Sequence, residues 1–293
     1  MTLSHDPHWL RAGNWLTQSS TADFAIVGVG ASKSALTPNK AHATPAAVRS
    51  ALLRYSTWNS SVKLDLSDSL KGGDFGDVQN PDDQEATSLD LSTMLDKTKT
   101  LVLIGGDNSI TYSGVVALSK RHDMKDIGLI TLDAHHDLRD GISNGSPVKQ
   151  LVDAGLPGRN IVQIGINDFA NSKYYSERAD SIGISVIHRR SFDTNSISQI
   201  SNQALSLLAQ CKVIYIDIDV DVCDRSVVPA APASMPGGIS ADQLRQLVSL
   251  LARDSRVTTF DITEIDATID TPDQRTTRLA ALLILEIASS KAK

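Results

Sequence analysis

Cysteine is nearly missing from this chain, with Cys211 and Cys223 its only two in 293 residues. Two thiols cannot build a disulfide framework, so the reading is a reduced, cytoplasmic protein. Cys223 lies inside an acidic motif and could act as a soft metal ligand, but a free cysteine more often fills a core. Basic runs are missing too. The chain carries 28 basic and 34 acidic residues, a net charge of −6, and with nothing to track a phosphate backbone, nucleic acid is excluded as the expected partner. Met1 to Ser20 is polar and lacks an apolar h-region, so no signal peptide is expected. No apolar run approaches the ~20 residues a membrane span requires. With no internal repeat and no linker-like stretch, the expected organisation is one domain over residues 1–293, with 1–20 as an N-terminal extension.

What is present is enough apolar sequence, 41% against 21% charged, for a large core. It comes as short runs: Phe24 to Val29, Thr100 to Ile104, Ile127 to Leu132, Ile161 to Ile166, Ile184 to Ile187, Val213 to Ile216 and Val257 to Ile262. Each is of strand length, rich in β-branched residues and almost continuously apolar, the pattern of a sheet covered on both faces. Helical patterns lie between them. One opens at Pro45 with Thr44 as N-cap, and others run Ser113 to Arg121, Ser196 to Ala209, Ala241 to Ala252 and Arg278 to Ser289. The alternation predicts three layers, α/β/α, around a mostly parallel central sheet. The Asp-, Gly- and Ser-rich stretch from Leu64 to Leu89 reads as a surface excursion.

Ligands of open parallel sheets bind beyond the carboxyl ends of the strands. Four such ends are polar here. Ile104 is followed by Gly105-Gly106-Asp107-Asn108-Ser109, and Leu132 by Asp133-Ala134-His135-His136-Asp137-Leu138-Arg139. Ile216 is followed by Asp217, Asp219, Asp221 and Asp224, and Phe260 by Asp261, Glu264 and Asp266. Asp133, His135 and Asp137 are spaced i, i+2, i+4, as are Asp217, Asp219 and Asp221, so in extended chain each trio faces one way. Five aspartates and an imidazole then converge on one small volume. Like charges at that density must take up protons or be neutralised by cations. Two divalent ions do so directly, and a carboxylate-dominated set with one histidine favours Mn²⁺ over a thiolate-type zinc site. Such a pair lowers the pKa of a shared water toward ~7 and presents hydroxide to an electrophilic carbon. A lone Asp-X-Asp is usually a turn or a cap; two clusters at separate strand ends favour metal.

These motifs resemble, in order and over nearly the whole chain, those of the ureohydrolase (arginase/agmatinase) family. Asp133 to Asp137 is similar to its D-A-H-x-D, Asp219 to Asp224 to its D-x-D-x-x-D, and Gly105 to Ser109 to its G-G-D-H-S. Pro229 and Pro236 to Ile239 resemble the stretch after the second aspartate pair, and Glu264 the late glutamate that faces an amidine-type group. The resemblance implies an arginase-like fold and two Mn²⁺ per chain. Asp133 and Asp219 would bridge them, His135 and Asp221 complete one, and Asp137 the other. It implies that Asp217 orients His135 or caps a strand, that Asp224 is structural, and that the chain forms a homo-oligomer, as relatives often do.

Three positions depart from the pattern. Asn108 replaces a metal-ligating histidine, and an amide oxygen donates more weakly, so that metal site is expected to be the weaker one. Asn144 stands where arginases carry a proton-shuttling histidine and cannot titrate, leaving His136 as the substitute to consider. Arg139 stands where arginases use a neutral amide, and its guanidinium fork suits a carboxylate. The D-A-H-x-D-L-R run resembles the formiminoglutamase branch. This implies hydrolysis of N-formimidoyl-L-glutamate to L-glutamate and formamide, with Asn144 in the substrate pocket, Glu264 or Asp266 at an amidine nitrogen, and Asp137 and His136 among the catalytic groups. Arg275 and Arg278 are further candidate anion contacts. The alternatives are a urea-releasing guanidino hydrolase, a metal-poor relative acting as a binding subunit, and Arg139 as a surface ion-pair residue.

Overall fold

The computed structural model describes residues 6–292. The strands are β1 (Thr17–Gln18), β2 (Ala22–Val29), β3 (Trp58–Asn59), β4 (Leu64–Asp65), β5 (Gly72–Asp77) and β6 (Thr98–Gly105). They continue with β7 (Ile127–Leu132), β8 (Ile161–Ile166), β9 (Ser185–His188), β10 (Val213–Asp219) and β11 (Val257–Thr263). The helices are α1 (Ala12–Trp15), α2 (Thr44–Leu52), α3 (Leu66–Ser69), α4 (Gln84–Leu95) and α5 (Ile110–Ser119). After them come α6 (Pro147–Asp153), α7 (Lys173–Ile182), α8 (Ile197–Leu207), α9 (Ala241–Ala252) and α10 (Arg275–Lys291).

Nine strands form one sheet in the order β1-β5-β2-β6-β11-β10-β7-β8-β9, with β3 and β4 apart as a small antiparallel pair. Every pairing in the large sheet is parallel. Alternate residues of each strand feed opposite cores. Phe24, Ile26, Val102, Ile104, Ile214 and Ile216 pack with α2, α8, α9 and α10. Ala25, Val27, Leu101, Leu103, Val213 and Tyr215 pack with α4, α5, α6 and α7. This two-sided burial is why the strands read as continuous apolar runs. The helix starts at Ser196 and Ser240 close as capping boxes with Gln199 and Gln243.

Some expectations fail for local reasons. The stretch from Leu64 to Leu89 is not a surface excursion: β5 lies between β1 and β2, with Gly72 and Gly73 buried. Glycine depresses strand propensity and hid the strand, yet a Cβ on Gly72 would meet the Trp15 ring at 2.6 Å. Residues 1–5 of the expected extension lie outside the described residues, but its end is built into the fold. Thr17 and Gln18 pair with β5, and Trp15 stacks on Phe24 with centroids 5.9 Å apart. Thr44 is not an N-cap, because a 3-10 turn runs into α2 ahead of it and its hydroxyl donates to the Ile265 carbonyl. Among the described residues no helix is long and apolar enough to cross a membrane.

The four strands whose ends are polar, β6, β11, β10 and β7, are neighbours at the middle of the sheet. Gly106 sets how closely their loops approach. A Cβ there would lie 1.8 Å from the Ala31 carbonyl oxygen, while the Gly106 carbonyl accepts from Glu264 N–H at 3.0 Å. Gly106→Ala is therefore expected to cost about 3 kcal/mol, the upper end for overpacking. It should appear as a lower urea midpoint at unchanged m; a variant as stable as the native chain would contradict this packing.

Candidate metal centre

The chain leaves the sheet at Asp133, whose N–H donates to the Ile164 carbonyl at 3.0 Å. Its Oδ1 accepts from His135 N–H at 2.6 Å and so folds the next turn back over the strand end. At the end of β10 Asp219 does the same for Asp221, accepting its N–H at 2.9 Å. Asp221 Oδ1 accepts from Ala134 N–H, which ties the two turns together. The outcome is that His135 Nδ1 lies 3.0 Å from Asp221 Oδ2 and 3.4 Å from Asp133 Oδ1. One donor atom from each of these residues falls within 4.8 Å of the others.

Around this trio the acids are buried almost completely. Asp137, Asp219 and Glu264 are 7%, 3% and 4% exposed, and Asp217 and Asp261 are fully covered. Burial, reinforced by neighbouring carboxylates, pushes Asp137, Asp217 and Asp219 well above the usual carboxylate range. Asp133 is pushed up to about 6 by burial and by Asp221. Burial also opposes ionisation of Asp221, but the adjacent His135 outweighs it and holds the carboxyl below its ordinary value. In return the Asp221 carboxylate lifts His135 to about 12. Crowding and burial thus favour the protonated form of most of these acids and the charged form of His135.

Cations fit the donor set. Asp133 Oδ2, Asp221 Oδ2 and both oxygens of Asp217 are buried without a hydrogen-bond partner, and oxygen-rich donors with one imidazole suit a divalent ion of the manganese type. Of the cluster, His135, Asp137, Asp219 and Asp221 line one cavity of about 430 Å³, whose wall also includes Arg139, Asn144 and Glu264.

The other expected site residues take different places. Asn108 turns its amide nitrogen to the cluster, donating to Asp137 Oδ2 at 2.5 Å. Its oxygen, the atom expected to bind metal, accepts from Thr111 and Thr263 hydroxyls at 3.0 and 2.9 Å. His136 does belong to the cavity wall, with both ring nitrogens engaged, Nδ1 by Gln163 at 2.6 Å and Nε2 by Ser176 at 3.3 Å, so it also joins β8 to α7. Asp217 does not reach for His135; it lies abreast of Asp261 in the β10–β11 register. Asp266 caps a turn through Thr268 and Lys40 N–H groups and is not in the cavity wall. Arg275 pairs with Asp273, and neither it nor Arg278 lines the cavity. Asp224 accepts from Ser226 and Gly237 N–H groups, as a turn-former does, and Cys223 is fully buried.

Glu264 is held by Asn108 N–H at 2.7 Å and the Asn144 amide at 2.9 Å, both on Oε1. Burial raises it to about 8. Sequence reasoning missed Asn171 and Tyr175, which line the cavity from the start of α7. Nothing in their spacing signals it, since the β8 end carries no cluster of acids or histidines.

The parallel sheet and the acid-lined cavity at its carboxyl ends define a candidate α/β metallohydrolase. The arginase family model matches residues 22–289, and the chain belongs to the arginase family. The formimidoylglutamase of Halalkalibacterium halodurans is 33% identical over 92% of this chain and 87% of its own. That of Bacillus subtilis is 29% identical over 89% and 85%. A crystal structure of formimidoylglutamase from Bacillus subtilis superposes with a TM-score of 0.93 at 25% identity, covering 99% of this chain and 94% of that one. The fold is shared with Trypanosoma cruzi formiminoglutamase solved with Mn²⁺, at a TM-score of 0.84 and 22% identity over 93% and 94% of the chains.

The electrostatics predict how the metal-free protein responds to pH. Asp133 and Asp261 are raised from 3.8 to about 6 and Glu264 from 4.5 to about 8, so each destabilises the fold as pH climbs through its interval. His135, raised from 6.5 to about 12, contributes stability that is full below the lower value and fades toward the upper one. All four act in one direction. The Tm of chelator-treated protein should fall from about pH 5 to about pH 8, and manganese should flatten the curve. A metal-free Tm that rises over that range would contradict this reading.

Proposed function

We propose that the chain is a manganese-dependent formimidoylglutamase that hydrolyses N-formimidoyl-L-glutamate to L-glutamate and formamide. The observation that carries this reading is Arg139. It stands exposed at the mouth of the cavity, and its guanidinium makes no hydrogen bond or ion pair with another described residue. An unpaired guanidinium beside an acid-lined cavity suits a ligand with an amidine at one end and a carboxylate at the other. Agmatine offers a cation and no carboxylate to that arginine, so a urea-releasing reading fits less well. The family match, from residue 22 to 289, supports treating the chain as one domain.

Asp133, His135, Asp137, Asp219 and Asp221 would hold two manganese ions, with Asp133 and Asp219 shared. Bound there, the ions supply positive charge and Lewis acidity, acidifying water toward a pKa of ~7 and stabilising charge that develops at the attacked carbon. Asn108 contributes as the donor that fixes Asp137, in place of a ligand. Arg139 anchors a carboxylate at the mouth and so aims the amidine inward. Glu264 receives it: Oε1 is pinned by Asn108 and Asn144, and Oε2 has no hydrogen-bond partner among the described residues. Oε2 would accept an amidine N–H, take up the proton released as water adds to the formimino carbon, and pass it to the departing amine nitrogen as the C–N bond breaks.

Two variants test the reading. Arg139→Ala should lower kcat/KM for formimidoylglutamate by at least ~30-fold, since truncating one partner of a hydrogen-bonded charge pair costs ~2–5 kcal/mol. Most of the loss should lie in KM, with manganese content unchanged; full activity of the variant, or a native preference for agmatine, would overturn the assignment. Asp219→Ala should abolish activity and bound manganese together and lower Tm. Native metal content by elemental analysis would remove Asp219 from the ligand set.

A further inference from the structure

Arg139 does not hold itself in place. Its only backbone hydrogen bond is from its N–H to the Gly145 carbonyl at 3.0 Å. The residues that follow are exposed as far as Ile142, which is 73% exposed, and Gly141 takes a φ of 82°. The contact that fixes this segment comes from α7. Arg178 Nη1 donates to the Leu138 carbonyl at 2.7 Å and to Asp140 Oδ1 at 2.8 Å. One guanidinium therefore grips the chain immediately before and immediately after Arg139. Arg178 is itself immobilised, with its Nη2 donating to Tyr174 Oη at 2.6 Å and its plane lying 4.7 Å over the Tyr174 ring.

We infer that Arg178 is a positioning residue for substrate binding, setting the place of Arg139 through the two residues that flank it. This rests on the reading of Arg139 as the carboxylate contact. The fork shape matters: a guanidinium can meet a carbonyl and a carboxylate at once in fixed directions, which an ammonium cannot. With the grip present, the segment is ordered before substrate arrives. Without it, ordering the segment is charged to the binding step. The same helix carries Tyr175 and the preceding Asn171 into the cavity wall, so Arg178 also fixes the distance between the two sides of the mouth.

The test is a double-mutant cycle on the manganese-loaded enzyme. Arg178→Met should raise KM for formimidoylglutamate about tenfold with kcat within about twofold, and the rise should vanish in the Arg139→Ala background. Arg178→Lys should recover only part of the lost affinity. If Arg139→Ala impairs the enzyme but Arg178→Met leaves KM unchanged, the inference fails while the carboxylate reading stands. If Arg178→Met is equally harmful in both backgrounds, it acts as a general structural residue and the inference fails as well. If Arg139→Ala is itself fully active, the carboxylate reading falls first. Should Arg178→Met not fold, Asp140→Ala removes the exposed half of the grip. It must then raise KM in the same Arg139-dependent way, and an unchanged KM overturns the inference.

Discussion

Like charge buried at the carboxyl ends of four neighbouring strands is the constraint to which the rest of this structure answers. Asp107, Asp133, Asp137, Asp217, Asp219, Asp221, Asp261 and Glu264 are each no more than 7% exposed. A sheet with both faces covered is what makes that burial possible, because only its strand ends can open to a cavity. The strand order brings β6, β11, β10 and β7 side by side although β11 comes last along the chain. Crossovers that would look arbitrary as topology are what gather the acids from four separate segments. The same gathering makes the metal-free fold dependent on protons.

Much of this was legible because it follows from local periodicity. Near-continuous apolar runs identified β2, β6, β7, β8, β10 and β11, and the i, i+2, i+4 spacing identified the acids at two strand ends. What stayed hidden depends on contacts made from far along the chain. β5 was invisible because its glycines leave room for Trp15, a partner dozens of residues away. At Asn108 an amide offers both a donor and an acceptor, and only the convergence of Thr111 and Thr263 on its oxygen shows which faces the acids. His136 sits amid ligand-like neighbours, yet Gln163 and Ser176 take both its nitrogens. Arg275 and Arg278 looked equivalent to Arg139 as charges, and only the fold separates the one at the cavity mouth from those outside it.

The cavity is polarised along its depth. Carboxylates form its floor, and Arg139 stands at its rim with no protein counter-ion among the described residues. A ligand with the reverse polarity, amidine inward and carboxylate outward, meets a favourable partner at each end. One with cations at both ends meets the guanidinium with the wrong sign. Discrimination by charge order in this way needs no tight steric match, because like charges brought together on binding are costly in themselves.

Two residues of the site also carry backbone strain. Asp137 and Glu264 adopt left-handed φ values of 53° and 59°, a conformation that costs a non-glycine residue roughly 1–3 kcal/mol in a well-determined site. Glycine would relieve the strain at either position and remove the carboxylate. Asn108 is the residue that touches both: its N–H holds Glu264 Oε1, and its side-chain amide holds Asp137 Oδ2. It links Asp137, itself a candidate metal ligand, to the acid proposed to meet the amidine, and its oxygen accepts from two threonine hydroxyls. The Thr263 hydroxyl has the Asn108 oxygen as its partner, while that of Thr111 also meets Asp261 Oδ2 at 2.9 Å. The residue at this position is therefore a brace between two strained carboxylates, held by its surroundings.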